Sequence, residues 1–259
     1  PEQSTDSLIA GWTANYGNHR WQLGARRDDH SEFGGEGTYA LAYGYQLTDT
    51  LRAQASYGTA FKAPSLYQLF SSWYGNADLK PEEAKNREAA LIWELGNQSV
   101  SATWYLNKVE NLIDYSFTSN TYENISSSRL EGVTLSYTGQ FSEWSVRAAY
   151  DWLDARNEDT GLRLGKRARD KATLAVSRRR GAWDAGAEWV GVGRRYDKND
   201  ETGEMGGYGL VNLTARYAIN TELAIEGRIN NLFDKNYETV SGYNTAGFNA
   251  FIGLRYQPK

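Results

Sequence analysis

The chain has 259 residues, 14% of them aromatic, with nine Trp and eighteen Tyr but only four Pro, one Met and no Cys. Without Cys there are no disulfides and no thiolate metal sites, and the composition suits a surface reached through an oxidising compartment. A net charge of −4, evenly spread, excludes a nucleic-acid partner bound through a basic face.

No run approaches the ~18 apolar residues of a membrane helix. A mean hydropathy of −0.66 is normally read as soluble. That reading fails for a membrane barrel, whose strands give half of their residues to a polar interior. The chain begins at Pro1 with neither an initiator Met nor a signal peptide, so a processed or truncated N-terminus is expected.

In chain order, the periodicity is two nearly everywhere. The first strand is expected from Leu8. Tyr39, Leu41, Tyr43, Tyr45 and Leu47 then alternate with Thr38, Ala40, Ala42, Gly44 and Gln46. Trp144, Val146, Ala148, Tyr150 and Trp152 alternate with Ser145, Arg147, Ala149 and Asp151. Val211, Leu213, Ala215 and Tyr217 alternate with Asn212, Thr214 and Arg216. Leu223, Ile225, Gly227 and Ile229 alternate with Ala224, Glu226, Arg228 and Asn230. A last strand runs from Phe248 to Tyr256. No segment has helical period.

Strands of a soluble sandwich run about 5–6 residues, whereas most of these run about 9–11, the length a tilted strand needs to cross a bilayer. Trp12 with Tyr16, Trp183 with Trp189, and Tyr256 sit near strand ends on the apolar face, as interfacial girdle residues do.

Connections alternate short and long. Short ones fall near Gly17-Asn18, Thr48-Asp49, Gly96-Asn97, Gln140-Ser142, Arg180-Gly181 and Asn220-Thr221. Longer ones span residues 29–36, 62–83, 116–127, 155–165, 196–207 and 232–247. Bacterial barrels have short periplasmic turns and long extracellular loops. The fold class expected is therefore all-β, a transmembrane antiparallel β-barrel with about thirteen strands present. An odd count leaves unpaired edges, so further strands are expected before Leu8.

Three motifs carry a resemblance. Phe61-Lys62-Ala63-Pro64 ends a strand and is followed by Asn76, Leu79, Pro81 and Glu82 in N-x-x-L-x-P-E spacing. Residues 125–135 read ISSSRLEGVTL. Asn231-Leu232-Phe233-Asp234-Lys235, followed by Tyr237, precedes the last strand. Together they resemble the TonB-dependent outer-membrane receptors, in the family's order. The resemblance implies a barrel of about 22 strands closed by a plug. Residues 1–259 would be its C-terminal portion, with the plug and the earlier strands absent. It also implies an outer-membrane location, energy from TonB through that plug, and contact with membrane lipid and lipopolysaccharide. Phage or colicin are further partners of such surfaces. Stretches at 109–116, 150–157, 194–198 and 231–248 are similar to the family's vitamin B12 (cobalamin) receptors. The expectation is cobalamin import. The alternatives are a ferric-siderophore receptor on the same scaffold or, in another class, a passive porin, an adhesin or a phage receptor. Two departures stand out. Pro258-Lys259 follows Tyr256-Gln257 where such barrels end in an aromatic, and Asp200 stands where B12 receptors place a loop aromatic.

Candidate ligand-binding residues are few. By resemblance, Lys166-Arg167 aligns with a basic pair near a bound corrinoid, and Tyr196 with the loop around Asp200 would close over one edge. The alternative for the pair is to face lumenal water or bind lipopolysaccharide phosphate. Tyr67, Phe70, Trp73 and Tyr74 form a loop cluster able to stack on a planar ligand or pack against neighbouring loops. Asp197, Asn199, Glu201 and Gly203 partly echo a calcium loop, but its terminal Glu is missing, so a solvated acidic loop is expected and no metal site. The family's haem receptors carry a His in the first long loop, and this one has none. Asp28-Asp29-His30 superficially fits a general-base pair, yet neighbours on a strand point to opposite faces. Neither an enzyme nor a resident cofactor is expected.

Overall fold

The computed structural model describes residues 2–258, apart from the Ser126 side chain. Pro1 and Lys259, on which the readings of the two chain ends partly rest, lie outside the described residues. The elements begin with β1 (Thr5–Tyr16), β2 (His19–His30), β3 (Gly34–Gln46), β4 (Leu51–Lys62) and the one-turn helix α1 (Leu66–Phe70). Next come β5 (Glu82–Leu95), β6 (Gln98–Ser116), β7 (Thr121–Phe141), β8 (Trp144–Asn157), β9 (Asp170–Arg180) and β10 (Trp183–Val192). The chain finishes with β11 (Arg195–Tyr196), β12 (Glu204–Met205), β13 (Tyr208–Ala218), β14 (Leu223–Asn230) and β15 (Asn249–Tyr256). Thirteen strands form one sheet in chain order, while β11 and β12 make a separate two-stranded ribbon. Every strand pair whose register is resolved is antiparallel.

Register fixes the two faces, because residues directly opposite one another share a side of the sheet. Trp12 lies opposite Leu23, Leu23 opposite Leu41, and Leu41 opposite Tyr57. Further along, Val176 faces Ala187, Ala187 faces Leu213, and Leu213 faces Ile229. On the other side Asp184 lies opposite Arg216, and Arg216 opposite Glu226. The polar side carries an ion-pair ladder: Arg179 to Asp184 at 2.7 Å, and Arg216 and Arg255 to Glu226 at 3.3 and 3.4 Å. Asn212 donates to Glu188 at 3.0 Å.

The apolar side is not a packed core. Leu8, Ile252, Leu254 and Trp183 all stand exposed on it. A water-soluble protein does not present so continuous an apolar face, but a barrel immersed in hydrocarbon must. The aromatics collect where strands meet the short turns. His19 Nδ1 lies 2.8 Å from the Tyr43 hydroxyl, and Trp21 packs on Tyr43 at 4.4 Å between ring centroids. Trp183 and Tyr217 form a similar pair at 4.8 Å.

The structure corrects three expectations. The connection after β2 is a three-residue turn, residues 31–33, because β2 and β3 stay paired as far as His30 and Gly34. Strands β6 and β7, of 19 and 21 residues, absorb most of the expected loop at 116–127 and leave only residues 117–120 between them. Helix α1 occupies part of the first long loop. Its Ser65 cap accepts from the Gln68 amide while the Gln68 side chain returns to the Ser65 amide, a capping box. The other long connections stand. They leave the same ends of the strands, so single Cys variants in the 158–162 loop should label from outside intact cells. Labelling of Asn97→Cys or Asn220→Cys from outside would overturn that topology.

The chain divides into two compact units: Pro1–Ile92 with Thr103–Gly132 and Asp154–Leu162, and Trp93–Ala102 with Val133–Leu153 and Arg163–Lys259.

Candidate functional site

In the first unit, the loop between β4 and β5 is built by the motif residues themselves. Asn76 Nδ2 donates to the Tyr122 carbonyl at 2.9 Å, and its Oδ1 accepts from the Asp78 amide. Leu79 is buried with Leu69 and Ile113, and Phe33 and Tyr122 pack against them. Glu82 Oε1 accepts both the Ile113 amide at 3.0 Å and Lys62 Nζ at 3.1 Å. Asn124 clamps Lys80 from both sides, accepting its amide and donating to its carbonyl. These residues therefore hold the loop against the β6–β7 hairpin.

That scaffold sorts the four expected aromatics. Tyr67 and Tyr74 join an edge-to-face cluster: Tyr67 with Tyr122 at 6.2 Å, and Tyr74 with Tyr115 at 5.6 Å. Tyr115 also meets Phe117 and Tyr122 at 5.1 and 5.6 Å. Phe70 and Trp73 have no ring partner among the described residues and are 49% and 82% exposed, while Tyr67 stays 57% exposed despite its partner. The cluster's hub, Tyr115, and its partners Phe117 and Tyr122 were not among the expected residues. Their signal lay in the aromatic residues flanking the β6–β7 tip. The arrangement offers two projecting aromatic surfaces on a rigid base, suited to stacking on a planar group.

Nearby in this unit, Lys108 Nζ lies 2.9 Å from Glu158, and Ser127 Oγ donates to the same carboxylate at 2.8 Å. These hydrogen bonds, from Lys108 first and Ser127 second, hold the Glu158 pKa below its ordinary 4.5. A depressed carboxylate stabilises the fold above its unfolded pKa, and that contribution fades as pH falls through the folded value. The Glu158 amide, bonded to the Ser127 carbonyl at 2.9 Å, should lose hydrogen-exchange protection on acidification, after correction for intrinsic rates. Glu158→Gln should show the reduced protection already at pH 7. Unchanged protection in both cases would remove this link.

In the second unit, the structure brings Lys166, Arg167 and Tyr196 together. The Lys166 amide donates to the Tyr196 carbonyl at 2.6 Å, and Arg167 Nη1 turns back to the Gly165 carbonyl at 3.0 Å. Lys166 has positive φ, and a Cβ at Gly165 would lie 2.7 Å from the Asp197 carbonyl oxygen. Only glycine permits so close an approach of the two segments.

The residues that echoed a calcium loop are the struts of this contact. Asn199 Oδ1 accepts the Gly165 amide at 2.7 Å, and Glu201 Oε1 accepts the Arg163 amide at 2.9 Å. Asp197 is buried, and its Oδ1 accepts the Ser241 amide at 3.2 Å. The expected solvated loop is thus corrected: its acceptors serve backbone N–H groups of neighbouring loops. No group of three metal-ligating carboxylate, His or Cys side chains is found among the described residues. Asp200 is exposed and closes its own turn, accepting from the Thr202 amide at 3.0 Å and hydroxyl at 2.5 Å. Those bonds hold its pKa below the ordinary carboxylate value.

Two further groups complete this rim. Arg195 is buried, stacks 5.5 Å over the Tyr208 ring and donates to the Glu238 carbonyl, while Tyr208 packs on Tyr237 at 4.4 Å. Asn231, 3% exposed, binds both the amide and the carbonyl of Lys235. As for the acid–base pair at Asp28 and His30, Asp28 is engaged by Arg26 and Ser7. His30 Nδ1 accepts the Glu32 amide at 3.1 Å. Each is committed to its own strand end.

Known proteins share this architecture. The copper transporter OprC superposes with a TM-score of 0.82 at 18% identity, covering 97% of this chain and 47% of that one. A ferric enterobactin receptor mutant (PfeA) from Pseudomonas aeruginosa gives 0.81 at 18%, covering 98% and 45%. The siderophore receptor PirA from Acinetobacter baumannii gives 0.80 at 17%, covering 98% and 46%. The chain thus spans less than half the length of these solved structures, and at such identities the likeness is one of fold. A family model described as "TonB dependent receptor-like, beta-barrel" matches residues 1–232. With its antiparallel strands, lipid-ready outer face and motif-built loops, the chain belongs to the TonB-dependent receptor β-barrel family of the bacterial outer membrane.

Proposed function

We propose that the receptor of which this chain forms part captures a large metal chelate at the cell surface and imports it with energy from TonB. The observation that carries the reading is the loop construction. In each unit the loops are braced by side-chain to backbone hydrogen bonds, those of the first presenting Phe70 and Trp73 and those of the second the Lys166-Arg167 turn. Rigid positioning reduces the ordering cost of binding. TonB itself would engage the plug.

Between ligands, a ferric siderophore is favoured, since proteins named for ferric enterobactin and siderophore reception share the fold across nearly all of this chain. Projecting aromatics also suit the planar aryl groups of a catecholate. Cobalamin is the second reading and rests on the stretches at 109–116, 150–157, 194–198 and 231–248. Here Lys166 and Arg167 would donate to its amides or phosphate, with Tyr196 beside them. Equilibrium binding of ferric enterobactin and of cyanocobalamin to the purified full-length receptor separates the two. Tight ferric enterobactin binding that weakens roughly tenfold or more in Trp73→Ala with Phe70→Ala supports the first reading. Tight cyanocobalamin binding that weakens in Lys166→Ala or Arg167→Ala selects the second. Tight binding of neither moves the ligand outside both classes.

A further inference from the structure

The turn between β2 and β3 does more than reverse the chain. His30, the last residue of β2, is 7% exposed, and its Nδ1 accepts the Glu32 amide at 3.1 Å. Its ring lies 5.2 Å from that of Phe33 in the same turn. Phe33 packs in its turn against the buried cluster of Leu69, Leu79 and Ile113. Leu69 belongs to α1 and directly precedes the exposed Phe70. A chain of contacts thus runs from one imidazole nitrogen to the loop that presents Phe70 and Trp73, all within the first unit.

A second tether runs beside it. The Ser31 amide donates to the Ser4 carbonyl at 3.0 Å, and the Ser4 amide donates to Ser31 Oγ at 3.2 Å. Gln3 Nε2 then donates to the carbonyl of Pro64, the residue before the α1 cap, at 3.3 Å. None of those groups titrates. The His30 bond does, because only a neutral imidazole offers a lone pair at Nδ1. Protonation sets an N–H against the Glu32 N–H. The bond is therefore present while the ring is neutral and lost as pH falls.

The charges around the imidazole are mostly carboxylates. On its own face of the sheet, Asp28 and Glu36 lie opposite one another, and Arg26 engages Asp28. On that face β1 brings only the uncharged Thr5 and Ser7, and Glu32 lies in the turn. Helix α1 carries no charged side chain, and Asp114 is within electrostatic reach of Tyr122. Glu82 accepts from Lys62 and from the Ile113 amide. Carboxylates are ordinarily ionised above about pH 5.5, so in the window above that the imidazole is the group that changes charge. The other histidine, His19, lies at the opposite end of β2.

We propose that the His30–Phe33 turn is a pH-sensitive latch on the α1 loop, closed while the imidazole is neutral and loosened by its protonation. His30 and Phe33 are positioning residues, acting on Phe70 and Trp73 through Leu69. The latch concerns the order of the loop rather than the identity of its ligand, so it can fail without affecting the ligand readings above.

The test is hydrogen exchange in the full-length receptor, with heat-modifiable gel migration reporting the folded barrel. The probes are the Glu32 amide and the Leu69 amide, which is bonded to the Ser65 carbonyl at 3.0 Å. After correction for intrinsic rates, both should lose protection roughly three- to tenfold between about pH 8 and about pH 5.5, as the loss of one net hydrogen bond implies. The midpoint should coincide with the His30 titration followed by imidazole NMR. His30→Asn supplies a side-chain oxygen that accepts the same amide at any pH, and it should flatten both responses. Phe33→Ala should keep the response at Glu32 and abolish the one at Leu69. Either amide indifferent to pH in the parent would overturn the proposal. So would a pH response at Leu69 that survives in His30→Asn, since the titrating group would then lie elsewhere.

Discussion

Arginine at Leu213 should destabilise the full-length barrel in phospholipid vesicles by roughly 2–4 kcal/mol, whereas arginine at the adjacent Thr214 should cost much less. Leu213 is the sixth of the eleven residues of β13, so it sits near mid-height. Its cross-strand neighbours are Ala187 and Ile229, and that row continues to Val176 and Ala250. A guanidinium there meets hydrocarbon on every side. Thr214 lies opposite Gly186 and Arg228, beside Asp184 and Glu226 across the same face. A new arginine there gains water and carboxylates. Reversible urea unfolding of each variant measures the difference, and equally large costs at both positions would contradict the facial assignment. A trivial cost at both would mean that Leu213 lies at the interface rather than the midplane.

This contrast was legible in the sequence because hydrocarbon on one side and water on the other impose a strict period of two. Where that asymmetry ends, so does the signal. In the upper halves of β6 and β7, from Asn111 to Ser128, both faces of the hairpin carry polar residues. Thr121, Glu123 and Asn124 give no alternation, and residues 116–127 read as loop although all but the turn at 117–120 are strand. Helix α1 was illegible for a different reason, since five residues make little more than one turn and show no period. Its local sign was the Ser65–Gln68 spacing of a capping box.

For the site, the motif residues Asn76, Leu79 and Glu82 were visible as a pattern, but their work was not. Each holds the loop to the β6–β7 hairpin through partners more than thirty residues away, Tyr122, Ile113 and the Ile113 amide. Asp197, Asn199 and Glu201 read as a solvated loop because the spacing of side-chain oxygens says nothing of the backbone N–H donors they meet. Only the fold reveals which donors arrive. Here they are the amides of Ser241, Gly165 and Arg163.

The same kind of strut predicts the largest local effect, at Asn231. Its Oδ1 accepts the Lys235 amide at 2.8 Å, and its Nδ2 donates to the carbonyls of Lys235 and Ala246 at 3.0 and 3.4 Å. The residue is nearly fully buried and holds φ at 48°, a left-handed conformation that Asn tolerates better than Ala. Asn231→Ala would leave backbone groups of the 231–248 loop unpaired in a site closed to water and add about 1 kcal/mol of backbone strain. Together these effects should lower the local stability of the loop by roughly 3–5 kcal/mol. The barrel strands do not depend on that side chain, so global unfolding should shift far less. The loop should instead become sensitive to protease, and the Lys235 amide should lose hydrogen-exchange protection. Asn231→Asp, which keeps the acceptor and loses both donations, should fall between. Because Ser241 in this loop donates to Asp197, and Glu238 receives Arg195, loosening it should also slacken the support of Tyr196 and the Lys166 turn. Protection at Lys235 equal to that of the parent in Asn231→Ala would show that the loop is held by other contacts and that the buried amide is dispensable.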